Sequence, residues 1–222
     1  MVMLTVKQIK NDEEVKVLIK TSEKQIDALA YTEHSVRHAS IVSTWTGMIL
    51  KETGQSAKLV RLGEIAGYLH DIGNSLARYD HAGSGAILVY NILKRLGMNY
   101  SDAAEIMMAI GNHDEINGVP VSVLSSALII ADKSDVHKSR VRHKVLDKNT
   151  NIHDRVNLAV NRSYVNVDKE NLRIDTVIET DDTICSVADY FEIYHHRMIM
   201  CSKAAELMGY KYGLIINGTR LL

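Results

Sequence analysis

Residues 60–74 read VRLGEIAGYLHDIGN, an apolar run that ends in an adjacent imidazole and carboxylate, His70 and Asp71. The pattern predicts a helix over about 56–71 that ends in this pair. Neighbouring side chains on a regular helix diverge by about 100°, so the pair can face one point only where the helix unwinds. Gly73 stands where that loosening is needed. A His-Asp pair also occurs by chance, so residues elsewhere in the chain decide what it does.

Four more residues of metal-ligand type lie on or beside other predicted helices. They are His34 in EHSVRHAS (33–40), His81 in DHAGSGAIL (80–88), His113 in GNHDE (111–115) and Asp132 in LIIADKSD (128–135). Separate helices can bring such side chains to one centre. Four imidazoles and two carboxylates suit Fe, Mn, Zn, Co or Ni rather than Ca. The set therefore predicts a site for one or two divalent metal ions, with Asp71 able to bridge them.

The rest of the chain predicts a mainly α protein with a small C-terminal α+β part. Periodicity, N-cap residues (Thr32 among them) and glycine stops predict further helices over about 12–29, 32–54, 81–96, 101–111, 121–142 and 183–208. Alternation around Asp168–Asn171 predicts a β-hairpin, and the chain ends in a short strand with an Asn217-Gly218 turn. We therefore expect a helical metal-binding domain over 1–150 and a small α+β appendage over 151–222 packed on it.

The charge and cysteine content exclude several classes of protein. The 222-residue chain carries 26 Lys and Arg against 27 Asp and Glu, so no global field favours nucleic acid or an anionic membrane. Cys185 and Cys201 fall on one predicted helix at a separation of about 24 Å, too far for a disulfide within it. No apolar stretch has the length of a signal peptide or a membrane span, so we expect a soluble, cytoplasmic protein.

The order His34, His70-Asp71, Asp132 resembles the ligand pattern of the HD-domain superfamily of metal-dependent phosphohydrolases. The flanking sequences agree: EHSVRHAS resembles the helix of the first ligand, LHDIGN the signature, and IIADKSD the helix of the last ligand. The resemblance covers about residues 25–145. It implies an all-helical fold, an HD-domain helical bundle with the metal at its centre.

His81 and His113 resemble the binuclear branch of this superfamily, which includes the HD-GYP phosphodiesterases of cyclic dinucleotides. The chain departs from those enzymes at three points. Asn74 stands where they carry a lysine, Asn112 replaces the first histidine of a pair, and NGVP (117–120) lacks their Gly-Tyr-Pro signature. The resemblance therefore implies the metal site but not the cyclic dinucleotide substrate.

The resemblance also implies roles for the six residues. A first ion would be held by His34, His70, Asp71 and Asp132, and a second by His81 and His113, with Asp71 as the bridge. A metal-bound hydroxide would then hydrolyse a phosphomonoester or phosphodiester, a nucleotide being one candidate. The catalytic candidates are Asp71 and Lys133.

Cations close to these residues are candidates to bind substrate phosphate. Lys133, His137 and Arg140 recur at helical spacing on the predicted sixth helix, and Arg78 follows the His-Asp pair. We expect Arg78, Lys133 and Arg140 to neutralise phosphate. The alternative is a solvated basic face paired with neighbouring aspartates.

The sequence leaves two alternative functions open, and His38 is one more histidine close to the candidate ligands. The pattern also resembles mixed-valence di-iron oxygenases of the superfamily, and a regulatory module would keep the metal without turnover. His38 lacks the glutamate of a zinc-binding helix, so we expect it to pack or to support a ligand. The expected partner is a small phosphorylated molecule or nucleotide, without a membrane or extended nucleic acid. A homo-oligomer stays open, since the terminal strand could pair within its chain or with another subunit.

Overall fold

The computed structural model describes residues 4–29, 31, 33–141 and 152–222. In these ranges the elements are α1 (Val6–Asn11), α2 (Glu13–Ala28), α3 (Val36–Glu52), α4 (Ala57–Leu69), α5 (His81–Arg95), α6 (Tyr100–Gly111), α7 (Val123–Ser134), α8 (Ile152–Ala159), β1 (Val160–Asp168), β2 (Arg173–Thr180), α9 (Val187–Leu207), β3 (Lys211–Ile216) and β4 (Thr219–Arg220). The prediction of a mainly α protein with a small C-terminal α+β part is confirmed.

Most helices begin close to their predicted start, because a short polar side chain accepts a hydrogen bond from a backbone N–H of the first turn. Asp12 caps α2, Ser56 caps α4 and Asn99 caps α6. The N-cap of α3 is Ser35, whereas the predicted cap Thr32 lies outside the described residues. These caps set the point at which each helix enters the core.

Helices α3, α4 and α7 share one apolar core. α4 approaches α3 closely at Gly67, where a Cβ atom would lie only 2.7 Å from the Cα atom of Ser43. α7 is buried from Leu124 to its end, which explains why the LIIA segment (128–131) is apolar on every face. The side chains at the C-terminal ends of α4 and α7 are therefore held by densely packed helices.

The C-terminal strands form one four-stranded sheet in the order β1-β2-β3-β4. β1 and β2 form the predicted antiparallel hairpin, and β3 returns after α9 to pair in parallel with β2. Val165 and Ile174 of the hairpin and Cys201 of α9 belong to the same core as the helices. The terminal strand thus pairs within its own chain. The division at residue 150 falls in 142–151, outside the described residues, and stays a prediction.

The predicted sixth helix is too long. α7 ends before Asp135, where ψ is 80°, and a separate 3₁₀ helix follows over Lys138–Arg140. The carboxylate of Asp135 is bound by side chains of α3, so the chain turns towards α3 instead of continuing the helix. The predicted common helix face of Lys133, His137 and Arg140 is therefore wrong.

The helix α9, with 21 residues, begins later than predicted. Because it begins after Cys185, the prediction that Cys185 and Cys201 lie on one helix is wrong. Both thiols are buried and free. Neither α9 nor any other helix in the described part of the chain has the length and apolar composition to span a membrane.

Candidate metal centre

Five helices bring ligand-type side chains to one buried point. The residues are His38 in α3, His70 and Asp71 after α4, His81 at the start of α5, His113 after α6 and Asp132 near the end of α7. Their ligand atoms form three overlapping groups, each within 4.8 Å: His38, His70 and Asp71; His70, His113 and Asp132; and Asp71, His81 and His113. The structure therefore brings five of the six predicted ligands together and adds His38.

Three of the imidazoles face this point through the same ring atom. In His70, His81 and His113, Nδ1 contacts the backbone carbonyl oxygen of the residue three positions earlier, at 2.9, 3.2 and 2.7 Å. A carbonyl oxygen only accepts hydrogen bonds, so in the neutral ring the proton sits on Nδ1. Each Nε2 then presents its lone pair to the centre, as in metal-binding histidines.

Asp71 Oδ2 has the surroundings of a metal ligand. It is buried and has no hydrogen-bond partner among the described residues, although His70 Nε2 lies 3.3 Å away and His38 Nε2 3.6 Å away. A buried carboxylate oxygen without a donor is costly. A divalent cation between these atoms would satisfy it, so the residues present fit such an ion.

Asp71 Oδ1 faces a second pair of imidazoles. His81 Nε2 lies 3.4 Å and His113 Nε2 lies 3.8 Å from this oxygen. The Asn74 amide donates to the same oxygen at 3.0 Å and thereby orients the carboxylate. The two oxygens of Asp71 thus face two groups of imidazoles, which is the placement that a bridging ligand needs. Asn74, a departure from the HD-GYP pattern, supports this placement.

His34 lies at the edge of the cluster. Its Nε2 atom is 4.0 Å from Asp71 Oδ2, and its ring centroid is 5.6 Å from that of His38. It is in none of the three ligand groups found among the described residues. His34 is therefore farther from the Asp71 carboxylate than His38 is, and its role as a ligand stays a prediction.

The charges in the cluster stabilise ionised carboxylates. Burial alone would raise the pKa of Asp132, but the Lys133 ammonium overcomes burial and holds that pKa well below its usual range. Burial also acts to raise the pKa of Asp71, and the neighbouring His70 reverses the effect. Burial lowers the pKa of His70, but Asp71 and Asp132 outweigh it and raise this pKa to about 10. The carboxylates thus attract positive charge to the centre.

The chain is similar in sequence to proteins from three organisms. No family model matches it. An uncharacterised protein of Methanocaldococcus jannaschii is 26% identical over 74% of this chain and 71% of its own length. Ribonuclease Y from Lawsonia intracellularis is 33% identical over 48% of this chain, and ribonuclease Y from Sulfurimonas denitrificans is 30% identical over 53%. The chain spans only 18% and 21% of the length of these two ribonucleases.

A solved structure also matches, described as a predicted HD superfamily hydrolase from an uncultured Thermotogales bacterium. It is 23% identical, covers 60% of this chain and 74% of its own, and has a TM-score of 0.45. In the present chain, the His-Asp pair and Asp132 meet at one buried point of a helical fold. The meeting of these residues agrees with the order of ligands in the resemblance to the HD-domain superfamily. We call the cluster of His38, His70, Asp71, His81, His113 and Asp132 the HD centre.

A cavity of about 330 Å³ lies beside the HD centre. Arg78 and Arg140 line it from the helical part of the chain, and Tyr194 and Arg197 line it from α9. The three arginines also line a smaller space that reaches Asp71 and other residues of the HD centre. The arrangement offers a compact anionic molecule a place next to the ligand atoms.

Lys133 is held between two carboxylates. Its Nζ atom lies 2.8 Å from Asp132 Oδ2 and 2.5 Å from Glu115 Oε2, and Arg197 Nε lies 3.1 Å from Glu115 Oε1. Burial lowers the pKa of Lys133, but Asp132 and Glu115 raise it above its usual range, so the ammonium stays charged. Lys133 therefore holds Asp132 in place, and Glu115 connects it to Arg197.

Arg78 and Arg140 are held differently from Lys133. Arg140 donates to the carbonyl oxygens of Asp135 at 2.6 Å and Glu33 at 3.1 Å. Arg78 donates to the amide oxygen of Asn74 at 3.3 Å, and its guanidinium lies over the Tyr31 ring at 5.4 Å from the centroid. Both guanidinium groups line the cavity, so their role in binding phosphate stays a prediction.

Glu115 and Arg197 are residues of this site that the sequence analysis missed. Glu115 is two residues from His113, a signal that could have suggested it. Arg197 gave no such signal, because it lies far along the chain on α9. Only the packing of α9 against α7 brings it to the HD centre.

Proposed function

We propose that the chain is a metal-dependent phosphohydrolase that acts on a small phosphomonoester or phosphodiester, such as a nucleotide. One observation carries the proposal: the buried, unpartnered Asp71 Oδ2 lies among imidazole Nε2 atoms, beside a cavity with three arginines. Imidazole and carboxylate ligands favour a divalent transition metal, and guanidinium groups favour phosphate. The cavity volume is at the lower end of the range for small-molecule sites, which supports a small substrate.

Each group of residues has a role in this proposal. His70 and Asp132 on one side and His81 and His113 on the other would hold the metal, with Asp71 between the two groups and His34 at the edge. A bound divalent ion would lower the pKa of its water from about 15.7 towards about 7, which supplies a nucleophile at neutral pH. The arginines of the cavity orient the phosphoryl group and neutralise the charge that develops on it. Lys133 acts through Asp132, which it keeps ionised.

The ribonuclease Y relatives support a phosphodiester between ribonucleotides as one substrate class. The chain spans only about a fifth of the length of those proteins, so their names suggest a class of substrate and not the complete activity. Short oligoribonucleotides therefore belong in the assay together with nucleoside monophosphates, cyclic dinucleotides and nitrophenyl phosphates.

The test is hydrolysis of these substrates with Mn, Co, Fe, Ni or Zn, in air and under argon. We expect turnover with at least one metal in both atmospheres, and a loss of at least about a hundredfold in His70→Ala, because the first ion then loses a ligand. His137→Ala is the matched control, since His137 is half-buried and its ring nitrogens contact Ser139 and the backbone carbonyl of Asn161 instead of the HD centre. Turnover that requires oxygen would contradict the proposal in favour of the oxygenase. Metal binding without turnover on any substrate would favour the regulatory module.

A further inference from the structure

A second cavity, of about 590 Å³, lies beside the HD centre near the start of α5. It shares Arg78, His81 and Asp114 with the smaller space at the HD centre, and it shares Tyr31 and Arg78 with the arginine-lined cavity. We propose that the second cavity binds the nucleobase of a nucleotide substrate by stacking on Tyr31 and Tyr79. The inference rests on the proposed function and narrows its substrate to a phosphoester that carries an aromatic base.

Large apolar side chains are concentrated in the wall of the second cavity. Leu29 is 49% exposed, Tyr31 48%, Tyr79 86% and Ile116 80%, and all four line this one space. Exposed apolar side chains that are scattered singly over a surface are ordinary. Apolar and aromatic side chains around one concave space are instead typical of a ligand site, and the volume lies within the range of small-molecule sites.

The same wall carries polar groups that suit the edge of a base. Asp80, Asp114 and Asn117 line the cavity together with the apolar side chains. Carboxylate and amide oxygens accept hydrogen bonds from the amino groups of a base, and the amide also donates to ring nitrogens. An aliphatic ligand would displace water from these groups without replacing its hydrogen bonds, which is costly. A flat aromatic ring with a polar edge therefore matches the wall better than an aliphatic chain does.

Arg78 connects the second cavity to the HD centre. Its guanidinium lies over the Tyr31 ring at 5.4 Å from the centroid and donates to the amide oxygen of Asn74 at 3.3 Å. Asn74 in turn donates to Asp71 Oδ1 at 3.0 Å. The guanidinium is therefore held between an aromatic ring of the second cavity and a residue that contacts the Asp71 carboxylate. In this position it can pair with the phosphate of a nucleotide whose base stacks on the tyrosines.

The test measures binding apart from turnover. Calorimetry on the full-length protein with Co²⁺ compares the phosphonate analogues of adenosine 5′-monophosphate and of ribose 5-phosphate. In both compounds a methylene group replaces the ester oxygen and prevents hydrolysis. We expect the adenosine compound to bind at least about tenfold more tightly than the ribose compound, because only the former has a base to stack.

Variants of the two tyrosines locate the base. Tyr31→Ala and Tyr79→Ala should each lower the preference for the adenosine compound at least about threefold, because one stacking surface is lost. Tyr79→Phe keeps the ring and should keep the preference, and Tyr79→Ala should leave the affinity for the ribose compound unchanged. Tyr100→Ala is the matched control, because this exposed tyrosine at the start of α6 lies beside Lys94, outside the lining of the second cavity.

The outcomes separate this inference from the proposed function. Equal affinity of the wild-type protein for the two compounds would overturn the inference, as would a preference that survives both alanine variants. In either case hydrolysis of any substrate of the panel would still support the proposed function. A preference that the alanine variants lose, in a protein that hydrolyses nothing, would support the base site and contradict the proposed hydrolysis alone.

Discussion

At the scale of single residues, Lys133 is a structural ion-pair partner of the HD centre. Its side chain is 6% exposed and contacts two carboxylates, of which Asp132 belongs to the centre. Removing the partner of a buried charge destabilises the folded protein much more than removing the partner of an exposed charge. The position of Asp132 therefore depends on Lys133 even before any substrate binds.

Replacing Lys133 with Met should lower the free energy of unfolding of the metal-free protein by about 3 kcal/mol, because Asp132 and Glu115 lose their ammonium partner. Urea denaturation followed by circular dichroism measures the change. Lys20→Met on the exposed side of α2 is the matched control and should change stability by less than about 0.5 kcal/mol. Equal stabilities in the two variants would show that Lys133 has no such structural role.

The two cysteines should be unreactive in the folded protein. Burial raises the pKa of Cys201 to about 12 and that of Cys185 to about 11, so both thiols remain protonated at pH 8 and at pH 9. Only the thiolate attacks a disulfide reagent. We expect negligible labelling by an aromatic disulfide at either pH and labelling of both thiols in urea. Rapid labelling of one thiol in the native protein would show that burial does not raise the pKa of that thiol.

The sequence identified most of the residues that meet in the HD centre, but not all of them. Histidine and aspartate types in the HD order identified His70, Asp71 and Asp132, which do meet. His38 was set aside because its supporting carboxylate, Asp135, is distant in sequence and reaches Nδ1 only after α7 ends. Arg197 was missed for a similar reason. Its place beside the HD centre depends on how α9 packs against α7, which the sequence of neither helix predicts.

At the scale of elements, a close backbone approach places α5 against the His-Asp turn. A Cβ atom at Gly73 would lie 2.0 Å from the carbonyl oxygen of His81 and 2.5 Å from the amide nitrogen of Gly85. The sequence predicts that Gly73 lets α4 unwind, whereas the packing of α5 is what requires a residue without a side chain. This contact sets the distance between His81 and Asp71.

Gly73→Ala should therefore destabilise the protein by about 1–3 kcal/mol, because α5 has to move away. Gly111→Ala is a matched control in α6: its Cβ atom would meet only the Cβ atom of Ala86, at 3.6 Å. That control should be neutral or slightly stabilising. Melting curves of the two variants test the contrast, and a neutral Gly73→Ala would refute the role of the contact.

Helix positions were the most predictable elements, because caps and glycine stops are local signals. The starts of α2, α4, α5 and α6 lie within about two residues of prediction. The end of α7 was not predictable, since no glycine or proline marks it and the turn depends on contacts between Asp135 and α3. The short helices α1 and α8 were missed as well, because each is too short to show a clear period.

At the scale of the whole molecule, α9 completes the cavity that the helical part begins. Arg197 reaches it from α9, pairs with Glu115 and lies over the Tyr194 ring at 4.6 Å from the centroid. α9 connects β2 to β3, and these two strands pair in parallel. The C-terminal part therefore contributes directly to the wall of the proposed substrate site.

Arg197→Gln should raise KM for a phosphorylated substrate about tenfold or more with a smaller change in kcat, because a charge-assisted hydrogen bond to the bound phosphate is lost. Steady-state kinetics on the best substrate of the panel measures both constants. Arg162→Gln on the exposed face of β1 is the matched control and should leave both unchanged. A KM unaffected by Arg197→Gln would remove α9 from substrate binding.

The ligand-type side chains of the HD centre come from five helices between residues 38 and 132, and this dispersal has a thermodynamic consequence. In the unfolded chain these side chains are scattered, so a divalent ion would bind the native state almost exclusively. By mass action, each tenfold rise in free metal above its dissociation constant would then add about 1.4 kcal/mol to the free energy of unfolding. A chelator should lower the melting temperature as it lowers the free metal concentration. The free metal concentration would thus set the stability of the protein as well as its proposed activity.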